Sequence, residues 1–187
     1  MVLPFSPNSY FRAQLKEGKM LTRGGRRVLV VSEESMRSLV RLAIKSGDLN
    51  AIRRLGRAIG QEVLASLGED PNQLPPHALV DHFAGLWALF GWGLIEIENW
   101  GDALVMRVEG SPSLDENQLG LAALLGGSVS ALASLEVAAV PVGSNRFLLL
   151  APEVADTVLE WSKKGYSLPA ILDRLAPAPF PKSKEDA

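Results

Sequence analysis

The strongest constraint on the fold is a short segment that alternates apolar and charged residues and is followed, after a turn, by a second and mostly apolar segment. Residues 94–98 read Leu-Ile-Glu-Ile-Glu, and residues 103–108 return as Ala-Leu-Val-Met-Arg-Val after the turn at residues 99–102. A period of two places successive side chains on opposite faces of a half-buried strand. The pattern therefore predicts an antiparallel β-hairpin.

A second hairpin is predicted at residues 138–141 and 146–150, around Gly143-Ser144-Asn145. A β-branched run at residues 27–31 predicts one further strand. The longer apolar segments have helical spacing instead, and we predict helices over residues 33–46, 49–67, 77–90 and 117–135, after Pro152 and over residues 167–175. Since helices and hairpins are segregated, the sequence predicts an α+β fold in which antiparallel hairpins pack against a helical layer.

The 187 residues suit one domain with short extensions at its ends. We divide the chain into an N-terminal arm at residues 1–24, an α+β domain at 25–165, and a short C-terminal helix with a disordered tail at 166–187. Tyr10 and Phe11 interrupt the Pro-, Ser- and Gly-rich composition of the arm. Either the arm is poorly ordered, or its two aromatic side chains dock on the domain or on a partner.

Composition excludes several classes of function. The chain has no cysteine, which removes disulfides, thiolate metal sites, cysteine nucleophiles and lipid attachment to cysteine. Its formal net charge of −2 offers no electrostatic reason to bind nucleic acid or an anionic membrane. Its apolar stretches are shorter than the roughly 20 residues that span a bilayer. The first residues lack the apolar centre of a signal peptide, so we expect a cytoplasmic protein.

No motif for catalysis or for a cofactor is present. The sequence contains neither a G-x-S-x-G nucleophile turn nor a glycine-rich phosphate loop. The two histidines, His77 and His82, are five positions apart on one predicted helix, whereas a metal-binding pair on one helical face needs a spacing of three or four. We therefore predict that the protein is not an enzyme and holds neither a metal nor a cofactor.

Two glycines four positions apart mark the second helix as a place of close packing. Gly56 and Gly60 lie beside its apolar stripe, where the lack of side chains allows two helix backbones to approach. Arg53, Arg54 and Arg57 form a basic strip on the same helix, which is either a solvated face or a contact for an acidic surface. We predict a homodimer or partner interface at Arg53, Gly56, Arg57 and Gly60.

Four aromatic residues surround the end of the third helix, namely Phe83, Trp87, Phe90 and Trp92. Such a stripe either belongs to the core or lines an apolar ligand pocket between the helix and the sheet. Glu136 is flanked by apolar residues, and we expect a structural ion pair between it and a partner such as Arg146.

Four glycine-based stretches resemble, in their order and spacing, the 4-vinyl-reductase-like domain family. They are GRRVLVV at 25–31, LGRAIGQE at 55–62, LFGWGLIEI at 89–97 and the block at 126–137. That family is related to haem-dependent nitric-oxide sensing domains and to subunits of the TRAPP vesicle-tethering complex. The resemblance covers roughly residues 20–165.

The resemblance implies an α+β fold, dimerisation through helices and a buried apolar pocket. Members of the family act as small-molecule sensors, as carriers or accessory factors in tetrapyrrole synthesis, and as assembly scaffolds. Two departures matter. Family members often carry cysteines near the glycine-rich helix and in the last hairpin, where this chain reads Leu121-Ala122-Ala123-Leu124 and Ala138-Ala139-Val140 without a thiol, and no proximal haem histidine is evident. After these two departures, the resemblance still implies a scaffold and an apolar pocket.

Two functions follow from these observations. The first is a non-enzymatic interaction or scaffold module, a homodimer that recruits an unidentified protein partner. The alternative is a sensor or carrier that binds an apolar small molecule against Phe83, Trp87, Phe90 and Trp92.

Overall fold

The computed structural model describes residues 10–67 and 75–175. The described chain starts with a three-stranded antiparallel sheet in the order β1-β2-β3, formed by β1 (Phe11–Gln14), β2 (Lys19–Thr22) and β3 (Arg27–Val28). Part of the predicted arm is therefore a β-hairpin. Residues 1–9 and the tail predicted after Leu175 lie outside the described residues.

The strand predicted at residues 27–31 is wrong in its length. β3 ends at Val28, and Leu29, Val30 and Val31 are 80%, 81% and 53% exposed. The cause is the start of the neighbouring strand. Val28 pairs with Met20, so continued pairing would set Val30 opposite Gly18, which already belongs to the turn before β2.

Three helices follow: α1 (Glu33–Lys45), α2 (Asn50–Leu67) and α3 (Pro76–Leu89). The predicted N-cap of α1 is confirmed, because the Ser32 hydroxyl accepts a hydrogen bond from the Ser35 backbone N–H at 3.2 Å. α1 and α2 each bury one apolar stripe. α3 contributes Phe83, Leu86 and Trp87 to the centre of the core, as its largely apolar surface predicts.

Both predicted hairpins are confirmed. β4 (Leu94–Trp100) pairs with β5 (Ala103–Glu109), and β6 (Ala138–Pro141) pairs with β7 (Arg146–Leu150). β5 also pairs with β7, so the four strands form one antiparallel sheet in the order β4-β5-β7-β6. β6 is therefore an edge strand.

α4 (Leu119–Ala133) connects the two hairpins and is almost entirely buried. It packs along α2, and together with α1, α3 and one face of the sheet it encloses the main hydrophobic core. Met106, Val108, Phe147 and Leu149 are the members of this core that the sheet supplies.

The last two helices, α5 (Pro152–Lys163) and α6 (Leu168–Leu175), form a second core on the other face of the sheet. Val105 and Leu148, each next in sequence to a main-core residue, point to this side because side chains alternate along a strand. The sheet thus lies between an inner layer, α1–α4, and an outer layer, α5–α6. The predicted α+β class is confirmed.

No helix within residues 10–67 and 75–175 combines the length and the apolar character needed to cross a bilayer.

Candidate functional site

The four aromatic residues predicted to line a pocket are brought together, and two of them fill the core. Trp87 is completely buried and Phe83 is 2% exposed. The Trp87 ring lies 5.5 Å from that of Phe83 and 6.1 Å from that of Trp92, and its Nε1 donates to the Trp92 carbonyl oxygen at 3.0 Å. Neither of the two clefts described below is lined by these side chains.

The aromatic pair of the arm docks on the domain, which was one of the two alternatives for this segment. Tyr10 is 4% exposed, and Tyr10 and Phe11 both contact the ring of Phe90. The Tyr10 hydroxyl donates to Glu62 at 2.9 Å, and Arg26 pairs with the same carboxylate at 3.1 Å. Burial is the main cause that raises the pKa of the Tyr10 hydroxyl, and the hydrogen bond to Glu62 raises it further.

The close crossing predicted at Gly56 and Gly60 is present, but it is made within the chain. A Cβ added at Gly56 would lie 2.8 Å from the carbonyl carbon of Leu124 on α4, and one at Gly60 would lie 2.8 Å from the Cβ of Ala131. Real Cβ atoms do not approach other atoms this closely. Both glycines therefore serve the α2–α4 contact of a single molecule.

Arg53 and Arg57, the other two residues of the predicted interface, bind Glu136. Arg53 Nη2 donates to Glu136 at 2.8 Å, to the Val137 carbonyl oxygen at 2.8 Å and to the Ser130 hydroxyl at 3.1 Å. Arg57 pairs with the second oxygen of Glu136. These two arginines hold the pKa of Glu136 below its usual range.

The ion pair expected at Glu136 is thus present with different arginines from the one named. Arg146 instead forms a bidentate ion pair with Glu98 on the sheet, in which its Nε and Nη2 donate to the two carboxylate oxygens at 2.9 and 3.1 Å. Sequence distance hid the true partners, because Arg53 lies 83 residues from Glu136 and meets it only through the α2–α4 packing.

A cleft of about 330 Å³ opens where the two helical layers meet the sheet edge. We call it the layer cleft. Its walls come from the α1–α2 connection, α4, β6 and α5. Apolar residues are the majority of its lining, and alanine is the commonest of them: Ala122, Ala123, Ala138, Ala139 and Ala155.

The polar groups of the layer cleft are few. Asp48, Asn50 and Asp156 are exposed side chains at its rim, and Arg53 is half-buried between α2 and β6. The Nε and Nη1 donors of Arg53 make no hydrogen bond to any described residue, because its three bonds all use Nη2. An apolar molecule in the cleft would thus find a cationic donor at one end.

Sequence reasoning missed the layer cleft. Alanines on α4, β6 and α5 carry no signal of a binding surface, since they are ordinary core residues. Arg53 did stand out, but as part of a basic strip and of a predicted interface, not as part of a ligand site. A cleft that depends on three separate elements meeting at one strand edge has no local pattern in the sequence.

A second and more polar cleft, of about 230 Å³, lies before α4 and is lined by Asp115, Gln118 and Asn145 among others. Asp115 accepts hydrogen bonds from the backbone N–H groups of Leu119 and Gly120, so its carboxylate already caps the helix. The Asp115 oxygens are therefore already engaged at the start of α4.

The two histidines differ in exposure. His77 is exposed, and burial lowers the pKa of the half-buried His82. Among the residues that the structure describes, no three His, Asp or Glu side chains are grouped so that they could hold a metal ion.

No family model matches the chain, and no curated protein matches it in sequence. A solved structure is similar in fold: the crystal structure of the phenol-responsive sensory domain of the transcription activator PoxR with phenol. The two are 12% identical, with a TM-score of 0.59, over 82% of this chain and 92% of that one. At this identity the likeness shows the fold alone, and the family resemblance of the four glycine-based stretches stays a prediction.

Proposed function

We propose that this chain is a non-enzymatic sensory or carrier domain that binds a small, largely apolar molecule with one hydrogen-bond acceptor. The observation that carries the proposal is the layer cleft: small apolar walls, and one arginine with two unused donors. Ligand sites are commonly concave, mostly apolar and supplied with a few well-placed polar groups. A volume of about 330 Å³ is at the lower end of such sites and suits a ligand the size of a single substituted ring.

The similarity in fold supports this class of function over the scaffold hypothesis. The similar structure is a sensory domain described as phenol-responsive. Phenol has an aromatic ring and one hydroxyl oxygen, which matches apolar walls with one donor. We therefore choose phenol and benzoate as probes, because both offer an acceptor to Arg53 and benzoate adds a charge that should strengthen the bond.

The position of the cleft also suits a sensor. Its walls belong to the inner layer, to the sheet and to the outer layer, so a bound molecule touches all three. A ligand changes a conformational equilibrium only through contacts that differ between the two states. A molecule that contacts three elements at once can bind more tightly to one relative arrangement of those elements than to another.

Calorimetric titration of the purified chain with phenol and with benzoate tests the proposal. We expect saturable one-to-one binding, and unchanged probe recovered afterwards. Ala123→Phe, which adds a ring inside the cleft, should weaken binding at least about tenfold. Ala133→Phe is the matched control, since Ala133 is exposed on the same helix outside the cleft, and it should bind as the wild type does.

A second pair of variants tests the polar end of the cleft. Arg53→Met should weaken benzoate binding more than phenol binding, because a charged acceptor loses the stronger bond. Arg57→Met is the control, as Arg57 shares Glu136 but does not line the cleft. Absence of saturable binding of both probes, or equal binding by wild type and Ala123→Phe, would contradict the proposal and favour the scaffold hypothesis.

A further inference from the structure

The three-stranded sheet at the start of the described chain is strongly cationic, although the whole chain has a formal charge of −2. Residues 10–28 contain one acidic residue, Glu17, and six basic ones: Arg12, Lys16, Lys19, Arg23, Arg26 and Arg27. The segment therefore has a formal charge of +5, which leaves −7 for the rest of the chain. The net charge of the chain, which by itself offers no reason to bind an anionic membrane, conceals this segregation.

The solvent-facing side of this sheet gathers three of the cations. The other side docks on the domain, where Phe11 contacts the ring of Phe90. Side chains alternate along a strand, and residues directly opposite each other in an antiparallel pair share a face. The pairing register therefore places three cationic side chains together on the outward face: Arg12, Lys19 and Arg27. Since neighbouring strands are about 5 Å apart, these side chains form one cluster.

Part of this positive charge is not neutralised within the chain. Arg12, Lys16 and Arg27 are exposed and form no ion pair with any residue that the structure describes. Arg27 donates only to an uncharged acceptor, the Gly18 carbonyl oxygen at 3.3 Å. The carboxylates that contact this segment or follow it in sequence are already paired, as Glu17–Lys19, Glu62–Arg26, Glu33–Arg37 and Glu34–Arg37. The three free cations are thus available to an anionic partner.

Exposed apolar side chains stand at one end of the same sheet. β1 and β3 run in the same direction, so the residues that follow them lie at the same end. Leu15 follows β1 and is 87% exposed, and Leu29 and Val30 follow β3 and are 80% and 81% exposed. Lys16 lies beside Leu15 in the turn. Side chains exposed to this degree project from the surface and line no groove.

We propose that this end of the three-stranded sheet binds an anionic lipid surface, with the free cations at the phosphate groups and the projecting apolar side chains at the acyl boundary. Peripheral binding of this kind combines buried apolar area with attraction to anionic lipids. Each Lys or Arg near such a surface raises the affinity about fivefold. A bilayer also receives projecting side chains without a preformed pocket, whereas a folded protein partner would need a pocket for each of them.

Nucleic acid fits this surface less well than a lipid does. Proteins that bind single strands stack bases on aromatic side chains, and the two aromatic residues of the segment, Tyr10 and Phe11, are docked on Phe90. The lipid surface is also independent of ligand binding. No residue of the three-stranded sheet lines the layer cleft, so failure of either proposal leaves the other standing.

Co-sedimentation of the full chain with vesicles tests the proposal. We expect binding to vesicles made of equal parts phosphatidylcholine and phosphatidylserine, little binding to phosphatidylcholine alone, and weaker binding as the salt concentration rises. Lys16→Ala should weaken binding about fivefold, and Leu15→Ser should weaken it at least about fivefold, because the apolar side chain is lost. Lys164→Ala and Leu94→Ser are the matched controls and should bind as the wild type does, since both residues are exposed on other elements.

The variants also separate a lipid surface from other anionic partners. Circular dichroism spectra like that of the wild type would show that each variant is folded. Absence of binding to the mixed vesicles, or an unchanged affinity of Lys16→Ala, would overturn the proposal. An unchanged affinity of Leu15→Ser would overturn it as well, because attraction by charge alone fits any polyanion. Release of the protein from the vesicles by duplex DNA at an equal concentration of phosphate would assign the surface to nucleic acid instead.

Discussion

Replacing Gly56 by alanine should destabilise the protein, although alanine is the better helix former. In an open helix the exchange would stabilise by about 1 kcal/mol. At Gly56 the new methyl group would lie 2.8 Å from the carbonyl carbon and 2.9 Å from the Cα of Leu124. Carbon atoms in good contact are about 3.5–4.0 Å apart, so the two helix backbones would have to separate by more than about half an ångström.

The size of the expected loss of stability follows from the atoms that surround Gly56. The opposing atoms are backbone atoms of a fully buried residue, and the Ser128 hydroxyl donates to the Gly56 carbonyl oxygen at 2.9 Å, which also ties the helices together. Overpacking of this kind costs about 1–3 kcal/mol, and the rigid partner favours the upper end. After subtraction of the gain in helix propensity, we expect a net loss of about 2 kcal/mol, or a fall in Tm of about 4–8 °C for a chain of this size.

Thermal unfolding at neutral pH, followed by circular dichroism, measures the change. Gly24→Ala is the control, because its new methyl group would meet only Thr22 Oγ1, at 3.8 Å, and its effect should stay within about 0.5 kcal/mol. A Tm of Gly56→Ala equal to or above that of the wild type would refute the close α2–α4 crossing. A loss that vanished at high protein concentration would instead place Gly56 between two molecules.

Three further changes test other contacts. Tyr10→Phe should lower the free energy of unfolding by about 1–2 kcal/mol in urea titrations, because Glu62 loses a hydrogen bond. The folded state raises the pKa of the Tyr10 hydroxyl, so wild-type stability from this group is full below about pH 10 and declines above it, and the variant should lack that decline. Glu136→Gln should lower Tm at pH 7, and this effect should shrink as the pH falls below about 4.5, since a depressed carboxyl pKa stabilises above the unfolded value and the benefit is lost as pH falls through the folded value; an effect that grew as the pH fell would contradict the ion pair. Ser32→Ala removes the cap of α1 and should cost about 1 kcal/mol, whereas Ser35→Ala, which keeps the backbone N–H that the cap accepts from, should cost less.

The sequence was most informative where one local pattern decided the structure. Alternation before a turn located the first hairpin, the turn residues Gly143-Ser144-Asn145 located the second, and Pro152 marked the first residue of α5 because its missing N–H costs nothing there. Leu29–Val31 misled because β-branched composition predicts a strand without saying whether a neighbour is present. The partners of Glu136 and the layer cleft depend on contacts between elements far apart in sequence. Such contacts leave no local pattern of residues from which they could be predicted.

The separate core beneath α5 and α6 has a mechanical consequence. These two helices are held together by their own apolar contacts, with Val158 and Ile171 fully buried between them and the sheet. A change in this outer core therefore need not open the interior behind the sheet. Ala155 and Leu159 of α5 line the cleft, so a molecule bound there would touch the outer layer directly.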